Sequence, residues 1–160
     1  MSIALLQLHS QPTRVFFGTL TNGESIHEAL THLAQTYQIQ TATFHLLGGL
    51  SEVELSEYDF LRQIRKPPLV FRRPLEIIAG HGTICQHNEQ PHVHLHLTLS
   101  YRDETAPNSI ALLGGHAARA LAFAVEFTLT AYDEVSLRRA LHPATGLWLW
   151  DVPPLEQTSS

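Results

Sequence analysis

The residues best equipped for chemistry lie in one decamer, "PHVHLHLTLS", residues 91–100. His92, His94 and His96 stand at every second position, with Val93, Leu95, Leu97 and Leu99 between and beyond them. Alternate residues of a strand point to opposite faces. The imidazoles therefore share one face with Thr98 and Ser100, and the aliphatics line the face turned to the core. Same-face neighbours are ~6.6 Å apart, two residues at ~3.3 Å each. Two imidazoles at that spacing can converge on one ion through N–metal bonds of ~2.0–2.1 Å. His92 and His96, ~13 Å apart, cannot easily share it. The strand supplies at most two ligands, and a third must come from elsewhere.

The best source is Gly114-Gly115-His116. Two glycines permit a tight or positive-φ backbone and the close approach of a neighbouring strand. They would hold His116 at a fixed corner. Three histidines and an open position form the pattern of a catalytic zinc site, whereas structural sites usually close with four ligands and are cysteine-rich. The competing reading is a solvent-facing strand that happens to be rich in histidine, and spacing alone favours it. His81, in "GHGTIC", belongs to a strand expected near the histidine strand; His9, His27, His32, His45, His87 and His142 lack such partners. Cys85 reads as a small core residue. Glu126, in "AFAVEFTL", is expected on a face with Ala122, Ala124 and Thr128, opposite Phe123, Val125, Phe127 and Leu129. A carboxylate flanked by alanines could carry protons or orient a ligand histidine, and an exposed strand glutamate fits the same pattern.

The elements that must position these groups are legible in outline. "RVFFGTL" (14–20) is a strand, and "NGES" turns the chain. Ser25-x-x-Glu28 has the form of a capping box, and Ile26, Ala29, Leu30, Leu33, Ala34 and Tyr37 make one apolar helix face over 26–37. "TATFHLLGGL" (41–50) is a β-rich run closed by Gly48-Gly49, and "SEVELSEYDF" (51–60) is the next strand. Residues 61–73 form a loop carrying Arg62, Arg65, Lys66, Arg72 and Arg73. Strands follow over 74–86 and 92–100, with a turn at 87–91 and a loop at 101–109. "IALLGGH" (110–116) leads into a turn before a long strand over 121–135, and "HPATG" turns into "LWLW" (147–150). The sum is a single α+β domain over 1–150, with a largely antiparallel or mixed sheet of about seven strands and one flanking helix. Residues 151–160 are expected to be a flexible tail. "LWLW" is apolar on both faces, which suits burial between subunits.

Bulk composition bounds the function. The chain has 160 residues, 44 % of them hydrophobic, 11 histidines, 10 Lys+Arg and a formal net charge of −5. That balance argues against non-specific nucleic-acid binding. One cysteine allows no intramolecular disulfide, and a reducing cytoplasm is the expected compartment. No apolar run approaches the ~20 residues of a membrane helix.

The order "NEQPHVHLHLTLS", "GGH", then a strand holding Glu126 resembles the plants-and-prokaryotes-conserved (PPC) domain. "RVFFGTLTNGESIHEALTHLAQTYQIQTATFHLLGGLSEVELSEYD" is similar to that family's opening, and "HPATGLWLW" to its closing turn and strand. The resemblance puts the H-x-H on His94 and His96 and the G-G-H on Gly114, Gly115 and His116, with His92 outside the ligand set. Ala117 and the long 101–109 loop depart from the pattern. The resemblance implies a homotrimer binding a divalent metal, zinc foremost, with Glu126 as proton carrier if it is a hydrolase or lyase on a small-molecule ligand. The alternative is a non-catalytic trimeric interaction module linked to transcription regulation. The AT-hook that accompanies the domain in plants has no counterpart here, so no sequence-specific nucleic-acid partner is expected, and no membrane partner either.

Overall fold

The computed structural model describes residues 13–153, so His9 and residues 154–160 of the expected tail lie outside the described residues. The elements run β1 (Thr13–Thr21), α1 (Ile26–Thr36), β2 (Ala42–Ser56), β3 (Tyr58–Asp59), β4 (Ile64–Arg65), β5 (Leu69–His87), β6 (Gln90–Arg102), a 3-10 turn (Pro107–Ser109), β7 (Ile110–Tyr132), β8 (Arg139–His142) and β9 (Leu147–Trp150). Five long strands form one antiparallel sheet in the order β1-β7-β2-β5-β6. A further pairing of β6 with β7 closes it on itself like a barrel. β3–β4 and β8–β9 are separate two-stranded ribbons.

The barrel interior follows from the alternation. Val93, Leu95, Leu97 and Leu99 of β6 are buried together with Phe44, Leu50, Leu75, Ile84, Val125 and Leu129. α1 begins where expected: the Ser25 hydroxyl accepts from the Glu28 N–H at 3.4 Å. The helix sets buried Ile26, Leu30 and Ala34 against β6 and β7.

The strands are longer and more numerous than the sequence suggests: nine among the described residues rather than about seven. Gly48-Gly49 does not end a strand. β2 runs through it with register shifts at Leu46/Gly48 and Leu50/Glu52, and Gly48 has φ +117°. The pair reads as a stop in sequence, but it is a bulge that bends one long strand around the barrel. Gly114-Gly115 does not end a strand either: β7 continues through it, in unbroken register with β6. Residues 61–73 are not one loop, since β3–β4 folds the first part into a ribbon and β5 takes up Arg72 and Arg73. A bulge on β7 between Ala122 and Ala124 also reverses the expected facing there: Ala122 is buried and Phe123 is 62 % exposed.

Gly114 fixes the β6–β7 closure. A Cβ built on it would lie 2.5 Å from the carbonyl oxygen of Leu97 on β6, which is backbone and cannot swing aside. Gly114→Ala should therefore destabilise the protein by about 1–3 kcal/mol, as overpacking of a tight contact does. Urea unfolding of the variant against the parent protein measures it, and an unchanged midpoint would show that this contact is not tight.

Candidate metal centre

The β6–β7 closure sets His96 directly opposite His116. β5 lies on the other edge of β6 and sets His81 opposite His96 and Thr83 opposite His94. All point away from the core, because the intervening Leu95 and Leu97 point into it. His94, His96 and His116 come together, with one ring nitrogen of each within 4.8 Å of the others. Their ring centroids are 5.1 Å (His94–His96), 5.0 Å (His94–His116) and 5.4 Å (His96–His116) apart. Tetrahedral ligands with N–Zn bonds of ~2.1 Å lie ~3.4 Å from one another, so the triangle needs to tighten by at most ~1.4 Å. Side-chain torsions can supply that.

Two further observations fit a cation at this point. Nδ1 of His116 is buried with no hydrogen-bond partner. A buried polar atom left without a partner costs about 1–3 kcal/mol, which a metal–nitrogen bond would offset. The imidazoles are also held neutral, the form in which they ligate. Burial, reinforced by Arg139 and the neighbouring histidines, lowers the pKa of His94 to about 3. Burial and then Arg65 lower that of His116 to about 4, and burial followed by His81 and Arg65 lowers that of His96.

His92 lies outside the trio. It pairs with Cys85 across the β5–β6 ladder and stacks edge-on against His87 at 5.8 Å, and burial brings its pKa to about 4. Cys85 is fully buried, but on the histidine face under the β8–β9 ribbon rather than in the barrel core, with its Sγ 3.1 Å from Nε of Arg139. Glu126 is not brought to the cluster. It lies ten residues beyond His116 on β7 and pairs with Leu47 of β2, so that β2 and β5 separate it from β6 across the sheet. There it lines a separate depression of about 510 Å³ with Phe17, Thr19, His45, Leu47 and Thr128. Among the described residues, Glu126 does not join the group formed by His94, His96 and His116.

Two basic residues at the centre were not singled out in sequence. Arg139 donates from Nη2 to Nδ1 of His94 at 3.0 Å, and Arg65 donates from Nη1 to the Ser56 hydroxyl at 3.0 Å. Ser56 is the β2 partner of His116. Arg65 reads in sequence as one member of a basic stretch. Arg139 becomes legible only when "RALH" is paired with "LWLW" across the "HPATG" turn.

With this geometry the chain can be placed. It belongs to the Plants and Prokaryotes Conserved (PCC, also written PPC) domain family, whose model matches residues 7–133. Its fold is similar to that of a metal-containing protein from Archaeoglobus fulgidus, at TM-score 0.79 and 22 % identity over 91 % of this chain and 99 % of that one. A plant- and prokaryote-conserved protein of Pyrococcus horikoshii is similar at TM-score 0.78 and 20 % identity, covering 92 % and 96 % of the two chains. A candidate DNA-binding protein from Ralstonia eutropha is similar at TM-score 0.72 and 23 % identity, covering 86 % and 90 %. At these identities the likeness establishes the fold. No curated protein matches the sequence.

The depressed histidines set the acid behaviour of the metal-free protein. An unfolded histidine titrates near 6.5, so between that pH and about 3–4 the unfolded chain binds more protons than the folded one. Stability then rises with pH across that window and is lost on acidification. His94→Gln should flatten that slope. Chemical denaturation at pH 7, 6, 5 and 4 measures it, and parallel curves for parent and variant would contradict the assignment.

Proposed function

We propose that the protein is a metal-binding PPC-domain trimer whose His94, His96 and His116 hold one divalent ion, zinc by preference. The observation that carries this reading is the convergence of three neutral imidazoles, one with an orphaned buried nitrogen. Three nitrogen ligands suit zinc and leave a coordination position open. The metal-containing neighbour from Archaeoglobus fulgidus points the same way. A zinc ion held so lowers the pKa of bound water to about 7 or polarises a carbonyl, which makes a hydrolase or lyase of a small molecule the reading for an active protein. His81, opposite His96, is the nearest additional imidazole in register. The reduced thiol of Cys85 suits the cytoplasm.

The trimer is supported by the outer face of the barrel. Val15, Phe17, Leu47, Ile78 and Phe123 are exposed there, Phe17 to 79 %. Trp148, Leu149 and Trp150 stay between 42 % and 48 % exposed on β9. Apolar surface on that scale marks an interface. Non-catalytic assembly remains the second reading, carried by the same face.

Sequence-specific DNA binding is disfavoured. The basic residues do not form a stripe: Arg72 and Arg119 are paired with Glu52, Lys66 with Glu57, Arg62 with Asp59 and Arg14 with Asp133. α1 carries neither Arg nor Lys to present to a groove. Duplex binding should vanish at ~150 mM salt, because phosphate contacts weaken steeply with ionic strength. A labelled-duplex titration at that salt checks it, and tight, sequence-dependent binding would revive a regulatory role.

Elemental analysis with native mass tests the main reading. About one ion per chain is expected from a single three-histidine site. His94→Ala or His116→Ala should weaken binding by more than ~100-fold, since even outer partners of ligands cost 10–100-fold. His92→Ala should leave it intact. A protein that neither retains nor takes up zinc would refute the centre, and a monomeric mass in light scattering would refute the trimer.

A further inference from the structure

Arg139 and Arg65 approach the histidine cluster from opposite sides. Arg139, from β8, spends its three contacts on Cys85 Sγ at 3.1 Å, the Trp148 carbonyl at 2.7 Å and Nδ1 of His94 at 3.0 Å. Arg65, from β4, donates to Ser56 beside His116, its guanidinium 5.9 Å from the centroid of the Tyr58 ring. Among the described residues neither meets a carboxylate, whereas six of the other basic side chains do. Two guanidinium groups without a carboxylate partner therefore flank the histidine cluster, in a place where a divalent cation would add two more charges. Metal alone would bind against that charge. An anion would relieve both.

The hydrogen bond to His94 sharpens the point. A guanidinium only donates, so Nδ1 of His94 accepts and the ring carries its proton on Nε2. A neutral imidazole has one lone pair. It cannot accept from Arg139 and ligate an ion at once. If Nδ1 ligates, Arg139 is displaced from it; if Nε2 ligates, the proton moves to Nδ1 and Arg139 faces a donor. Either way metal binding frees the Nη2 donor of Arg139 at the edge of the centre.

We propose that the centre takes a small oxyanion, a carboxylate or a phosphate, held between the open metal position and the guanidinium groups of Arg139 and Arg65. This rests on the metal reading above and names its substrate class: a molecule bearing an anionic group next to the reacting atoms. Arg139 is held by the metal-free protein in its bond to His94 and passes to the anion when the metal is bound. Arg65, hydrogen-bonded to Ser56 and not to a histidine, supplies a second charge. Planar guanidinium groups match the paired oxygens of such an anion, and charge-assisted bonds of this kind are strong. Metal and anion then bind with positive coupling, each tightening the other equally.

The test uses the full chain loaded with cobalt(II), whose visible spectrum reports its ligands, with acetate and inorganic phosphate as separate probes and chloride as control. The expected result is a saturable spectral change with acetate or phosphate, and cobalt affinity about tenfold higher in the anion's presence, within the 5–150-fold span of ordinary coupling. Arg139→Gln should lose most of that enhancement while still binding cobalt in its absence. Arg65→Gln, which leaves the β8–β9 ribbon untouched, should lose part of it and keeps the test decisive if Arg139→Gln misfolds. The stronger of the two probes assigns the anion as carboxylate or phosphate. If cobalt binds but neither anion changes its spectrum or affinity, or chloride acts equally, or both variants respond like the parent, the anion site is wrong and the metal centre stands. If cobalt does not bind at all, the metal reading has failed and takes the anion site with it.

Discussion

Everything at the centre depends on one antiparallel contact, the pairing of β6 with the first part of β7. It converts an open sheet into a closed barrel and removes the edge that β6 would otherwise present. The closure brings Leu95, Leu97 and Leu99 inside and, by the same alternation, His94 and His96 outside. It also sets His116 opposite His96. The side-chain period of a strand is two, so a slip of one residue would drive the imidazoles into the core and the leucines into water. Burial of three leucines, at about 1.5–3 kcal/mol each, is thus also what holds the metal-ligand register. Fold and site are stabilised by the same atoms, and Gly114, by having no side chain, lets the two backbones meet.

The electrostatics of the centre follow from what surrounds it. A histidine cluster in water would be partly protonated near pH 6.5, and protons compete with a metal for the same lone pairs. Here burial and the adjacent guanidinium groups keep the rings neutral. Those guanidinium groups also disfavour the cation that neutral rings invite. A carboxylate in the centre would have settled the conflict within the chain, as Glu52 does for Arg72 and Arg119. No carboxylate joins the trio among the described residues, so the conflict is left for a ligand to resolve.

How far the sequence revealed this depends on the range of the interaction. The helix was legible because its cap and its apolar spacing are local, and the H-x-H strand was legible because a period of two needs no partner to be seen. The meeting of His116 with His94 and His96 was anticipated from the two glycines before it, and the family resemblance pointed to the same residue. The glycine pairs misled. In "LLGGL" and "LLGGH" they read as stops, yet both lie inside strands: a bulge bends β2 at the first, and the β6 backbone comes close to Gly114 at the second. Phe123 was misplaced for a related reason, since one extra residue opposite β2 reverses the facing of everything beyond it. Arg139 was invisible because its role depends on a ribbon folding over Cys85 and His94, a contact 45 residues away in sequence from the histidine it touches.

An outward-facing site on a barrel raises a physical difficulty that the rest of the surface answers. Charge stabilisation by a metal or a guanidinium is strongest where water is excluded. His96 is exposed, and its β5 partner is His81, also exposed. The β8–β9 ribbon shields one flank: Arg139 lies over Cys85, and Trp148 stacks edge-on against His87 at 4.6 Å. The other flank continues across β5 and β2, where His45 pairs with His81 and exposed Leu47 and Ile78 lie nearby in sequence. An apolar wall without a partner beside a half-covered polar centre is what subunit packing would complete. Assembly and chemistry are then not alternative explanations of this surface. The packing that covers Phe17, Leu47 and Phe123 would also lower the dielectric around the imidazoles, and a chain held as a monomer would keep its ligands while losing much of the environment that makes them effective.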